Sequence, residues 1–101
     1  MRLLIFYGVY EGEKTIAHHS LGQALDILKD HQVDVLVLDD ASPSHVGQQL
    51  VDHFQGGKAR FELLRLEHTV GHRGYIERVF GAFRHIAGLN ETWDYVLRLD
   101  A

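Results

Sequence analysis

Asp39 and Asp40 follow directly on Val33-Asp34-Val35-Leu36-Val37-Leu38, a β-branched and leucine run. Such a run reads as a strand buried on both faces, as central strands of parallel sheets are. Two carboxylates at its carboxyl end stand where open α/β sheets bind ligands, as acceptors for the hydroxyl and N–H groups of a nucleoside. The pair has a second use: acids at a strand end accept hydrogen bonds from the N–H groups of the turn or helix that follows. Both uses are open on the sequence. Tyr10 and Glu11 follow the first apolar run in the same way, and Asp100 closes the last. Tyr10, taken alone, reads as a half-buried aromatic ring at a strand end. Asp100, taken alone, reads as a solvated carboxylate near the end of the given sequence.

The elements that must position these residues alternate along the chain. Leu3 to Tyr10 is apolar throughout, without a helical period, and predicts the first strand. Thr15 is the expected N-cap of a helix to about Asp30, with Ile16, Ala17, Leu21, Ala24, Leu25 and Leu28 on its stripe. Val33 to Leu38 is the second strand. Ser44 is the expected cap of a second helix, striped by Val46, Leu50, Val51 and Phe54 and ended by Gly56-Gly57. Phe61 to Leu66 is the third strand, Glu67 to Gly74 a loop, Tyr75 to Ala87 a third helix and Tyr95 to Leu99 a fourth strand.

This β-α-β-α-β-α-β alternation predicts an α/β, Rossmann-like three-layer sandwich on a parallel four-stranded sheet. Periodicity does not give the strand order; a reversal of winding after the third strand, a common solution, would give 3-2-1-4, with a crevice between strands 1 and 4. Tyr10, Asp39, Asp40 and Asp100 then converge at one edge.

Length and composition set outer bounds. The 101 residues make a single domain, 1–101. A net charge of −4 gives no bulk attraction to nucleic acid. The absence of cysteine excludes thiolate metal sites and disulfides. No apolar run approaches the roughly 20 residues of a membrane span, so a cytoplasmic protein is expected. The eight histidines show no chelating spacing: His18 and His19 are adjacent, and His68 and His72 flank a glycine. Gly71-His72-Arg73-Gly74, before a helix, is a weak phosphate-binding signal.

In order and spacing the whole chain resembles the first half of the nucleotide-sugar-binding domain of GT-A-fold glycosyltransferases, most of all the inverting family 2. Gly8-Val9-Tyr10-Glu11-Gly12-Glu13 falls where that family often has Pro-Val-Tyr-Asn-Glu-Glu. Leu38-Asp39-Asp40-Ala41-Ser42 is similar to its Val-Asp-Asp-Gly-Ser. Glu67-His68-Thr69-Val70-Gly71 is a loose version of Glu-Asn-x-Gly. Trp93 to Ala101, WDYVLRLDA, resembles the strand leading into the Asp-x-Asp motif.

The resemblance implies an NDP-sugar donor, most simply a UDP-sugar, and a glycosyl transfer to an acceptor. Tyr10 would lie against the base, and Asp39 and Asp40 would accept hydrogen bonds from base or ribose. Arg73 or Arg78 would lie near the pyrophosphate. The implied nucleotide-binding set is Tyr10, Glu11, Asp39, Asp40 and Arg73. Asp100 would be the first carboxylate holding a Mn²⁺ or Mg²⁺ ion on the diphosphate. Glu11 in place of Asn, Gly8 in place of Pro and Ala41 in place of Gly depart from the family pattern. The chain stops one residue before the second Asp of the motif, so a partial domain, inactive alone, is expected.

Two other classes compete. A free-standing signalling module of the receiver type would place its acidic pair after the first strand and a phosphoacceptor Asp after the third. Glu11/Glu13 and Glu67/His68 stand there instead. An associating structural unit is the other, since an uncovered fourth strand exposes backbone groups and invites a homo-oligomer by self-pairing.

Overall fold

The structure, a computed structural model, describes residues 1–66, 84–85, 88 and 93–100. Four strands and two helices alternate within them: β1 (Arg2–Val9), α1 (Lys14–Ile27), β2 (Gln32–Asp39), α2 (Val46–Phe54), β3 (Arg60–Arg65) and β4 (Tyr95–Asp100). All strand pairs are parallel, as the alternation predicts, and the order is β3-β2-β1-β4, the one that a reversal of winding after the third strand gives. The helix expected over Tyr75–Ala87, with Arg73 before it, lies outside the described residues save for two positions. Among the described residues no helix is long and apolar enough to cross a membrane.

Strand periodicity divides the core in two. Ile5, Tyr7 and Val9 of β1 and Val33, Val35 and Val37 of β2 pack under Ala17 and Leu21 of α1 and Val46, Leu50 and Val51 of α2. Leu4, Phe6, Leu36 and Leu38 form the cluster on the other face, with Leu64, Leu66 and Trp93 against it. The Tyr7 hydroxyl, on a buried ring, meets the Ser20 hydroxyl of α1. Ile16 departs from the expected stripe: it is exposed, because α1 turns Ala17 and Leu21 toward the sheet.

Two ion pairs fix how β2 lies against β3. Asp34 stands opposite Arg60, and Asp39 opposite Arg65. Each cross-strand pair is also a salt bridge, at 3.1 Å in both cases. The two acids are five residues apart, so they point to opposite faces, and a one-residue slip would break both pairs. Asp34 is only 5 % exposed. Its Oδ2 accepts from Arg2 Nη2 (2.9 Å), Arg60 Nη2 (3.1 Å) and the Trp93 indole (2.8 Å). The Arg2 guanidinium also lies 5.1 Å from the Trp93 ring centre. The bonds to Arg2 and Trp93 tie the start of β1 to the segment leading into β4.

Removing the common acceptor takes one bond each from two guanidiniums and an indole N–H. Truncation of one partner of a buried pair costs about 3–5 kcal/mol. Arg60 is more than half exposed and keeps water, which places Asp34→Ala near about 3 kcal/mol of lost stability. Urea denaturation measures it, and a loss below about 1 kcal/mol would show the cluster to be an ordinary surface pair.

Candidate functional site

The sheet order places β1 between β2 and β4, so the winding reverses at β1. The carboxyl ends of β1 and its neighbours border the crevice that such a reversal opens. Asp40 N–H donates to Val9 O (3.1 Å), which holds the chain beside the end of β1 as it leaves β2. Across β1, Asp100 stands opposite Gly8 in the β4 register. Tyr10, 44 % exposed, follows β1 directly. Backbone topology therefore brings Tyr10, Asp40 and Asp100 to one edge.

Asp39 is at the same edge but fully buried. Its Oδ1 accepts from Ser42 N–H (2.8 Å). Its Oδ2 accepts from Ser42 Oγ (2.8 Å), Gly47 N–H (3.0 Å) and Arg65 Nη1 (3.1 Å). A bare buried carboxylate costs several kcal/mol, and four donors, one of them a guanidinium, offset that cost. Gly47 makes the approach possible. A Cβ there would lie 2.8 Å from Asp39 Cβ and 2.9 Å from Leu63 Cδ1. Of the two uses open to Asp39, the capping one occupies its oxygens here.

The α2 N-terminus is capped from farther back than the sequence suggests. Ser44, the expected cap, does not cap. The N-cap position is His45, in left-handed backbone and without a side-chain cap bond. Ser42 Oγ accepts from Val46 N–H (2.8 Å), and Asp39 accepts from Gly47 N–H. Ser44 is taken instead by Glu11, whose two oxygens accept Ser44 N–H (2.9 Å) and Ser44 Oγ–H (2.6 Å). These bonds hold the Glu11 carboxyl below its ordinary value of 4.5. A lowered carboxyl stays ionised further into acid, so the bridge between the β1 and β2 loops is kept above that value and lost as pH falls through the lowered one. Thr15 likewise is not the α1 cap; Glu13 stands there, again without a side-chain bond.

Two non-glycine residues of this turn, Ala41 (φ 54°) and His45 (φ 53°), are left-handed. Each costs about 1 kcal/mol. Ala41 is the position at which the resembling motif carries glycine.

Of the expected nucleotide residues, then, Tyr10 is accessible, and Asp40 is 6 % exposed beside it. Glu11 and Asp39 are engaged with the protein, and Arg73 is not described. Gly47 and Arg65 are not pointed to by the sequence pattern, since partners 8 and 26 residues along the chain from Asp39 carry no local signal. The Asp100 side chain is not among those described. Among the described residues no three His, Asp or Glu side chains gather as a metal site. A divalent cation that takes six oxygens would need further ligands beside Asp100. His18 of α1 and His53 of α2 pack edge to face at 4.8 Å. The cavity of about 640 Å³ lies away from these acids, at the opposite edge, lined by Leu25, Leu28, His31, Val33, Phe54 and Lys58.

No family model, curated protein or solved structure matches the chain. The sheet order itself speaks against the receiver class, whose order 2-1-3-4-5 sets strand 1 between strands 2 and 3.

Gly47→Ala tests the close approach of α2 to Asp39. Helix propensity favours alanine by about 1 kcal/mol, whereas overpacking costs about 1–3 kcal/mol and here also pushes Asp39 off its donors. A net loss of about 2 kcal/mol is expected in chemical denaturation; a gain would show that Asp39 and Gly47 do not touch.

Proposed function

We propose that the chain is the nucleotide-binding part of a GT-A-like glycosyltransferase, holding the nucleoside diphosphate of a UDP-sugar donor at the crevice between β1 and β4. The observation that carries this reading is the reversal of winding at β1, with Tyr10 and Asp40 beside it. Ligands of open α/β sheets bind outside the carboxyl ends of the strands at such a point. Tyr10 presents a ring to the base, and Asp40 an acceptor to base or ribose. Asp100, opposite Gly8 in the β4 register, would be the first carboxylate toward a Mn²⁺ or Mg²⁺ ion on the diphosphate. Self-pairing along β4 belongs to the same proposal; the exposed Tyr95 and Val96 support it.

Calorimetric titration with UDP, with and without Mn²⁺, tests the reading. Saturable binding is expected, weakened at least about ten-fold, or about 1.4 kcal/mol, by Tyr10→Ala. No binding at millimolar UDP, or equal affinity in Tyr10→Ala, would overturn it.

A further inference from the structure

We propose that Asp39 and Arg65 are positioning residues of the strand-end site: they hold the turn 40–45 in its ligand-ready shape and never touch the ligand. Only the identity of the ligand rests on the nucleotide reading above. Arg65 sits on β3, the far edge of the sheet. Its Nη1 bridges Asp39 Oδ2 (3.1 Å) and Ser42 O (2.9 Å), clamping both ends of a four-residue stretch. Ser42 passes the clamp on to Val46 N–H of α2. From the β1 side, Glu11 holds Ser44 through two bonds. Left-handed Ala41 and His45 lie within the span that these pins control. Such backbone persists only where its surroundings over-determine it. Asp39 itself is closed to a ligand, fully buried with Gly47 against it. A ligand therefore reads Tyr10 and the outer side of the turn.

The two roles of Asp39 predict opposite signs. If Asp39 were a direct acceptor, removing Arg65 would release it and strengthen binding. If it positions the turn, removing Arg65 weakens binding. The experiment compares wild type with Arg65→Met, Arg65→Lys and Arg60→Met in UDP calorimetry and amide hydrogen exchange. Arg60→Met removes the guanidinium at the other end of the same strand, where it contacts Asp34. Expected in Arg65→Met are at least five-fold weaker UDP binding and faster exchange at Ser42, Ser44 and Gly47. Ile5 and Val35 should stay protected, and Arg65→Lys should recover part of the affinity. Arg60→Met should lower the thermal midpoint and leave UDP affinity unchanged. Unchanged or tighter binding in Arg65→Met would overturn the proposal, as would faster exchange spread evenly through β1 and β2. Wild-type protein that takes no UDP would overturn the nucleotide reading alone, and the exchange pattern would then decide whether the pair holds the turn.

Discussion

The carboxylate of Asp39, buried at the end of the central strand β2, is the interaction on which the ligand edge of this fold depends. Its four donors come from the turn, from the first turn of α2 and from β3. One side chain thus fixes where the strand ends, how the chain reverses and where the next helix begins. Remove the charge and the buried donors of the turn and of α2 lose their acceptor together, while Arg65, partly exposed, keeps water and Ser42 O; such networks act as units. The turn geometry that results is what leaves Asp40 beside β1 and Tyr10 open to solvent.

Asp34 repeats the device at the other end and on the other face of β2. Each acid is matched to an arginine at its own register position on β3. Apolar strand runs specify burial well but register weakly, because many shifts by two bury the same valines. The two ion pairs remove that freedom, and their cost in desolvation is offset by the added donors. What they give is a sheet edge set in register and a strand end held rigid, which a binding site at a switch point needs.

How far the sequence speaks for itself follows from the range of each interaction. The four strands and their parallel arrangement were legible because Val33–Leu38 and its companions carry a local apolar pattern; their order was not, since periodicity says nothing of it, and it matched a common reversal of winding after the third strand. The edge at which Tyr10, Asp40 and Asp100 meet followed from that order. The capping use of Asp39 was one of the two readings its place at a strand end allowed, but which donors it gathers was not legible. Its partners stand 3, 8 and 26 residues away along the chain, and neither turn chemistry nor helix period announces them. Ser44 looked like the cap because Ser before an apolar helix is the local signature; Glu11, 33 residues earlier, takes it for another purpose. Asp34 was hidden inside a valine run, where a single acid reads as an interruption rather than as the centre of a cluster.

Backbone NMR during addition of UDP tests most directly whether the strand-end crevice is the binding site. The account predicts amide shifts confined to Tyr10–Gly12, Asp40–Ala41 and the end of β4 at Asp100. Shifts concentrated instead at Leu28–Val33, where the large groove lies at the opposite edge, would contradict it.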